Sequence, residues 1–345
     1  MPNIMINKIC NLKCPYCFAN KFVNKGETCI DENNISIENF NKAVEFITFN
    51  KEKSYVGIIG GEPTLHPNFK KFVKFIINND KIEKSTLFTN GINLDKYVDI
   101  LKNSKISVLI NLNSPKDIGE SNYKKITKNI EMFKENNIVK NINIGINLYD
   151  ENMDYSFVIE TAEKFNLKNI RISVVVPNTS EKRNSHAIEY FKRMKPMVLD
   201  FFKKCREKDI IVHYDCNIMP NCVLNKEEYE WVSSYVEEFE KKNGFRENLV
   251  SLPFCEPVID ILPNLNAVRC FGCSDFEVSI ASFNNIDDLR NFFINKIDNY
   301  ANCVSIDEQC KTCCSKDCHR CMGGCIAFKR EKLEKLRDIA FILDR

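Results

Sequence analysis

Between residues 3 and 208 the chain repeats one pattern six times: a short β-rich run, then apolar residues at helical spacing. The runs fall at 3–8, 54–60, 85–89, 106–113, 141–148 and 169–176. The helical patterns begin at Ser36 and at Phe69, and recur near 94–103, 121–136, 153–166 and 187–208, the last kinked or restarted at Pro196. Repeated strand–helix units build a parallel sheet with right-handed crossovers. Eight units are needed to close a full barrel, so six predict an α/β fold of the partial (β/α)6 TIM-barrel type. Chemistry in such folds gathers at the C-terminal ends of the strands.

The first strand leads into Cys10-Asn11-Leu12-Lys13-Cys14-Pro15-Tyr16-Cys17, three thiols spaced C-x3-C-x2-C in one loop. A loop of this size can wrap three corners of a cubic iron–sulfur cluster, whose ordinary electron-carrying form takes four cysteines. Cys29 lies twelve residues on and is a poor fourth ligand. Three thiolates therefore leave one iron open, by the logic that separates open catalytic zinc sites from closed structural ones. A zinc knuckle is the competing reading. It wants a fourth Cys or His nearby, and the first histidine is His66.

The second strand ends in Gly60-Gly61-Glu62-Pro63. Two glycines permit close backbone approach to a ligand, and Glu62 adds a carboxylate at the strand end. Taken alone, the string is a strand-to-helix turn. Further on, Asn111 and Asn113 share one face of a strand at period two, and Asn147 ends the fifth strand. They could reach a ligand or simply cap loops. Thr89-Asn90-Gly91, ending the third strand, reads as turn chemistry.

With 49 basic and 47 acidic residues, charge suggests no phosphate-backbone partner, and nucleic acid is not expected. No apolar run approaches membrane-spanning length, and no basic-then-apolar signal opens the chain. A cytoplasmic location with no membrane partner is expected. In that compartment 17 cysteines point to metal or redox chemistry rather than disulfides. Their distribution divides the chain into a barrel (1–208), a bridge (209–250) carrying Cys216 and Cys222, and a Cys-rich α+β module (251–345). Cys216 and Cys222 could ligate iron or pack as small hydrophobes. In the module, Cys255 and Cys270 flank a hairpin (258–262 and 267–268, turning at Pro263-Asn264), with Cys273 just after. Seven cysteines then crowd into 303–325, in Cys303, Cys310, Cys313, Cys314, Cys318, Cys321 and Cys325. Zinc competes here too, because C-x2-C pairs also serve zinc ribbons.

Taken together, the C-x3-C-x-aromatic-C loop and the GGE turn resemble the radical S-adenosylmethionine (SAM) enzymes. The resemblance implies a [4Fe–4S] cluster on Cys10, Cys14 and Cys17, with SAM chelated to its open iron. It places Tyr16 near the adenine and Gly60, Gly61 and Glu62 at the SAM amino group. Asn111, Asn113 and Asn147 become candidates for the carboxylate and ribose, although many relatives carry Ser-x-Asp where this chain has Asn-x-Asn. The C-terminal module is similar to the SPASM domain, which holds auxiliary clusters in peptide- and protein-modifying members. Cys255, Cys270, Cys310, Cys313, Cys321 and Cys325 follow its order. Leu265 stands where that family has a hairpin glycine, two extra residues separate Cys313 from Cys321, and no cysteine follows Cys325. The resulting assignment is Cys255, Cys270, Cys273 and Cys325 for a first auxiliary cluster. Cys310, Cys313, Cys321 and Cys318 (or Cys314) would hold a second. A single cluster, as in the smaller twitch variant, is the alternative count.

The chemistry so implied is reductive SAM cleavage to a 5′-deoxyadenosyl radical that abstracts hydrogen from the substrate. Low-potential electrons would come from a flavodoxin or ferredoxin. The expected substrate is a peptide or small protein, the product a thioether or carbon–carbon crosslink or a related oxidation. The chain begins at its first strand, so leader-peptide recognition would fall to a separate binding protein or to the barrel surface. A small-molecule or cofactor precursor is the alternative substrate. A non-catalytic iron–sulfur carrier or sensor, and a zinc-scaffolded binding protein, are the alternatives of another class. His186, His213 and His319 are read as structural or surface residues, and no general base is assigned.

Overall fold

The structure is a computed structural model and describes all residues except 18, 20–21, 26–32, 139–140, 177–186, 248, 251–254, 315–320, 331 and 334–345. Cys29, Cys318, His186 and His319 lie outside the described residues.

In chain order, β1 is Asn3–Met5, β2 is Ile9–Cys10 and β3 is Asn24–Lys25. Helix α1 (Ile37–Thr48) starts where Ser36 caps it, the Ser36 hydroxyl accepting from Asn39 N at 3.0 Å. Its buried positions Phe40, Ala43, Val44 and Ile47 form one stripe. Strand β4 (Ser54–Ile59) is followed by α2 (Phe69–Asn78), which buries Phe69, Phe72, Val73 and Ile76. Phe40 of α1 stacks on Phe72 of α2 with ring centroids 4.2 Å apart. Burying each ring contributes roughly 1.5–3 kcal/mol.

Strand β5 (Ile82–Thr89) leads to a 3-10 turn, Leu94–Tyr97, and the short α3 (Val98–Leu101), where one helix over 94–103 is expected. Strand β6 (Ile106–Asn111) leads to α4 (Pro115–Ile118) and α5 (Glu120–Glu135). They are separated by Gly119, whose φ of +83° suits glycine. Then come β7 (Ile142–Leu148), α6 (Ser156–Phe165), β8 (Asn169–Val174) and α7 (Ala187–Glu207). Pro196 does not restart α7: the helix is continuous, and Met194, Met197, Val198 and Phe201 hold it by burial. Six parallel strands are thus each followed by helical structure, as the sequence pattern predicts. The remaining elements are β9 (Ile211–Cys216), α8 (Lys226–Asn243), β10 (Asp260–Ile261), β11 (Asn266–Val268), β12 (Val278–Ser279), α9 (Ile286–Phe293) and α10 (Asn299–Cys303).

Packing groups the chain into two units that differ from the motif-based segments 1–208, 209–250 and 251–345. The first holds Met1–Ile146, Ser156–Leu167 and Pro257–Asn291; the second holds Asn147–Tyr155, Lys168–Glu256 and Phe292–Arg345. In the first unit the strand order is β12-β11-β10-β1-β4-β5-β6-β7. The order is open and does not close into a full barrel, which fits a partial barrel. Strands β1, β4, β5, β6 and β7 pair in parallel and in chain order, as right-handed βα units require.

The hairpin β10–β11 extends this sheet, with β10 parallel to β1. Asn3 Nδ2 donates to Asp260 Oδ1 at 2.7 Å, and Phe271 N donates to Asp260 Oδ2 at 3.0 Å. Leu265, at the hairpin turn, has φ +63°. In the second unit β8 and β9 pair in parallel, and Tyr190 and Phe191 of α7 pack on Phe328 at centroid distances of 6.0 and 5.6 Å.

Candidate active site

The cysteine loop and the GGE turn are built against each other. Ile6 N bonds Ile59 O at 2.8 Å, Gly61 N bonds Asn7 O at 3.0 Å and Glu62 N bonds Ile9 O at 2.7 Å. This stitching is why both residues after β4 are glycines. A Cβ on Gly60 would stand 2.2 Å from Asn7 Oδ1. One on Gly61 would stand 2.2 Å from Ile9 O and 3.0 Å from the Cβ of Cys10. The sequence suggests glycines cleared for a ligand; the observed close approach is to the backbone that carries the first thiol.

Glu62 is fully buried. Its Oε1 accepts from Thr64 N at 3.1 Å, Thr64 Oγ1 at 2.5 Å and Thr89 Oγ1 at 2.7 Å, and its Oε2 accepts from Asn90 N at 2.7 Å. Burial outweighs these bonds and raises the carboxyl above its ordinary pKa. Asn90 Nδ2 in turn donates to Asn11 Oδ1 at 2.7 Å, inside the cysteine loop. Thr89 and Asn90, which read as turn residues, therefore hold Glu62, and Asn90 joins it to Asn11 of the cysteine loop. Only the register of β4 on β5 brings them there.

Cys10 ends β2, and the loop closes on itself through Cys17 N to Cys14 O at 3.3 Å. Cys10 and Cys17 pack against a buried apolar group that includes Met5, Phe22, Val23 and Ile59. Tyr16 is also buried. Burial pushes the Cys10 thiol up to about 12; Glu62, Cys14 and Cys17 add to the rise, and the Leu12 N–H opposes it. Three thiols in apolar surroundings become thiolates only beside a strong positive charge, which a metal centre supplies.

From the far side, Asn113 Nδ2 lies 3.4 Å from Cys14 Sγ. Asn111, two residues earlier, has a buried Oδ1 with no hydrogen-bond partner among the described residues, an orphaned acceptor of the kind a ligand satisfies. The donor set is soft, clustered and amide-supported, and it fits a [4Fe–4S] group. Among the described residues no three His, Cys, Asp or Glu side chains converge as tightly as one metal ion demands. A cluster relaxes that demand, because each thiolate binds its own iron.

Asn147 belongs to the second unit, where its Oδ1 accepts from Arg171 Nη1 at 2.8 Å and Ser173 Oγ at 2.7 Å. Cys270 and Cys273 lie in the first unit; Cys255, Cys310, Cys313, Cys314, Cys321 and Cys325 lie in the second. Of these, Cys273 is buried and Cys314 exposed. His66 is buried and neutral, its Nδ1 accepting from Asn68 N and its Nε2 donating to Ile35 O. His213 Nε2 meets Asn169 Oδ1 at 3.1 Å.

The open parallel sheet thus carries three thiols, a diglycine turn and two amides at its strand ends. Residues 4–162 match the model of the Radical SAM superfamily. The cofactors of this class are S-adenosylmethionine and a [4Fe–4S] cluster. In sequence, the chain is 26% identical over 246 residues to a probable GTP 3',8-cyclase of Methanococcus aeolicus, covering 69% of this chain and 71% of the relative. It is 26% identical over 190 residues to the radical SAM cyclopropyl synthase TigE of Paramaledivibacter caminithermalis, covering 49% and 40%. A further match, at 29% identity, covers 37% of this chain and only 39% of the GTP 3',8-cyclase of Mannheimia succiniciproducens. In structure, native anSMEcpe with bound AdoMet superposes with a TM-score of 0.64 at 17% identity, covering 98% of both chains. Streptococcus suis SuiB bound to S-adenosylmethionine gives 0.59 at 16% identity, covering 94% of this chain and 72% of its own. These structures share the fold. Among the described residues no helix is long and apolar enough to cross a membrane.

Proposed function

We propose that the protein is a radical SAM enzyme that modifies a peptide or small-protein side chain, with auxiliary iron–sulfur clusters in its C-terminal module. The observation that carries the radical SAM chemistry is the junction of the Cys10–Cys17 loop, the Gly60–Glu62 turn and Asn113 at one set of strand ends. When bound, the cluster and SAM supply a 5′-deoxyadenosyl radical. The chain's own part is positional. Cys10, Cys14 and Cys17 hold the cluster and Asn113 supports Cys14. Tyr16, Gly60, Gly61, Glu62 and Asn111 are the candidates for orienting SAM, with Asn147 retained on sequence alone. The apolar group around Cys10 and Cys17 keeps water from the thiols.

Two findings support a peptide substrate. The Cys-rich segment follows the SPASM order, and the SuiB fold, known bound to its precursor peptide SuiA, covers 94% of this chain. A small-molecule reading is favoured by the Methanococcus relative, named a probable GTP 3',8-cyclase. The two separate in one assay. Reconstituted enzyme is reduced anaerobically with a flavodoxin-type donor and SAM, then offered either peptides encoded beside its gene or GTP. Loss of hydrogen from a peptide, read by mass spectrometry, supports the proposal. Turnover of GTP with every peptide unchanged overturns it.

A further inference from the structure

Asn7 lies between β1 and β2, outside both sequence motifs, and it touches each residue of the Gly60-Gly61-Glu62 turn. Its backbone O accepts from Gly61 N at 3.0 Å, and its side-chain Nδ2 donates to Glu62 O at 2.9 Å. Its Oδ1 stands against Gly60, 2.2 Å from where a Cβ would be. The side chain is fully buried. Its orientation is forced, because turning the amide over would set Oδ1 against the Glu62 carbonyl, two acceptors facing each other. Oδ1 then has no hydrogen-bond partner among the described residues. The hydrogen that glycine carries in place of a Cβ is small enough to face it. A buried amide oxygen without a donor carries a desolvation cost that no bond offsets, so packing alone is a poor reason for an asparagine here.

Asn7 is itself held from the other side. It forms an antiparallel bridge with Asn34, while Ile35 N bonds Ile6 O and Lys8 N bonds Asn33 O, both at 2.8 Å. His66, which caps the 3-10 turn Pro63–Leu65, donates from Nε2 to Ile35 O at 3.1 Å. The turn is thus fixed at its start by Asn7 and at its end by His66. Every peptide bond here is trans, so N–H and C=O point opposite ways. Gly61 N on Asn7 O and Glu62 N on Ile9 O therefore turn the Gly60 and Gly61 carbonyls away from the Asn7–Ile9 backbone. Glu62 O differs: it accepts from Leu65 N at 3.1 Å as well as from the Asn7 amide, and both its lone pairs are used inside the protein.

We infer that Asn7 is a positioning residue for SAM. Its side chain withdraws the Glu62 carbonyl from the ligand and locks the turn, so that the Gly60 and Gly61 carbonyls are the ones that receive the SAM amino group. The inference rests on the radical SAM reading above, which puts that amino group at Gly60–Glu62. Asn7 acts through the turn and touches neither the thiols nor the ligand, so its loss should be felt in SAM binding while the cluster stays in place.

The test uses the full-length chain, reconstituted and reduced anaerobically, with SAM itself as the probe. SAM affinity, iron content, the EPR spectrum with and without SAM, and the thermal midpoint are measured in the parent, Asn7→Ala, Asn7→Asp and Asn217→Ala. Asn217 is a matched control in the second unit, a buried amide with Nδ2 on Val174 O at 2.9 Å and an Oδ1 likewise without a partner among the described residues. The inference predicts that Asn7→Ala weakens SAM binding about tenfold, the worth of one good hydrogen bond, with iron content and the SAM-free spectrum of the parent. Asn217→Ala lowers the thermal midpoint and keeps the parent's affinity. Where Asn7→Ala does not fold, the near-isosteric Asn7→Asp carries the same prediction, because a carboxylate has no donor for Glu62 O. Parent-like affinity in the Asn7 variants overturns the inference, as does equal weakening in Asn217→Ala or loss of iron in step with loss of SAM. A parent whose clusters load and whose spectrum ignores SAM overturns the radical SAM reading itself, and the inference with it.

Discussion

The Asn113 amide nitrogen stands 3.4 Å from Cys14 Sγ, joining the end of β6 to a loop 99 residues earlier in the chain. An N–H···S bond disperses charge from a thiolate and stabilises the more negative, reduced form of a cluster. Asn113→Ala should therefore lower the midpoint potential of the N-terminal cluster. A hydrogen bond worth about 1 kcal/mol corresponds to a shift on the order of 40 mV for a one-electron couple. EPR-monitored titration of protein with its auxiliary cysteines removed reads this directly. An unchanged potential would mean the contact does not survive cluster loading.

Gly61 has no room for a side chain, because its Cβ would stand 2.2 Å from the Ile9 carbonyl. Gly61→Ala should push the turn away from Cys10, reducing SAM cleavage at least tenfold by misplacing the site by a fraction of an ångström. Comparison of SAM binding and 5′-deoxyadenosine formation with the parent checks this. Wild-type cleavage in the alanine variant would contradict the packing argument.

Thr89 donates to Glu62 Oε1 at 2.7 Å while Asn90 reaches both Glu62 and Asn11. Thr89→Val leaves a buried carboxylate short of one donor and should cost about 1–3 kcal/mol. Asn90→Ala keeps the backbone bond to Glu62 but removes the side-chain bond to Asn11, so its cluster should be lost faster on exposure to a chelator. Urea unfolding and iron-release rates measure the two effects separately.

Two buried groups give opposite pH dependences. Burial raises Asp260 to about 6, with the Asn3 and Phe271 hydrogen bonds opposing the rise. Its unfolded form ionises near pH 3.9, so stability falls as pH rises from about 4 to 6. Burial lowers His66 to about 4. Its unfolded form takes a proton near 6.5, so stability falls as pH drops from 6.5 to 4. Each contribution is about 3 kcal/mol by linkage, and in the native protein they largely offset. Asp260→Asn should make stability rise with pH across this window; His66→Gln should make it fall. Urea midpoints from pH 4 to 7 on cluster-free protein distinguish them, and parallel profiles for both variants would refute the assignment.

Leu265 adopts φ +63° at the β10–β11 turn, a left-handed conformation costing a branched side chain roughly 1–2 kcal/mol. Leu265→Gly should relieve that strain and raise the thermal midpoint by a few degrees. A lower midpoint would show that the half-buried leucine contributes more by packing than it costs in backbone conformation.

The six βα units were legible because hydrophobic periodicity is local, and the Cys10–Cys17 loop because its spacing is. What periodicity cannot express is register. Thr89 and Asn90 look like a turn until β5 is laid on β4, when they meet Glu62. The hairpin at 260–268 looks like part of a cysteine module, yet β10 pairs with β1 through Asn3 and Asp260. Pro196 suggests a break in α7, but buried neighbours on the same face keep the helix whole.

The most direct test of the central claim is anaerobic reconstitution followed by reductive SAM cleavage, with the intact protein set beside Cys14→Ala. The account predicts 5′-deoxyadenosine from the intact protein and none from the variant. If the intact protein loads iron at all its clusters and still leaves SAM uncleaved, the Cys10–Cys17 loop is no radical SAM site and the account is wrong.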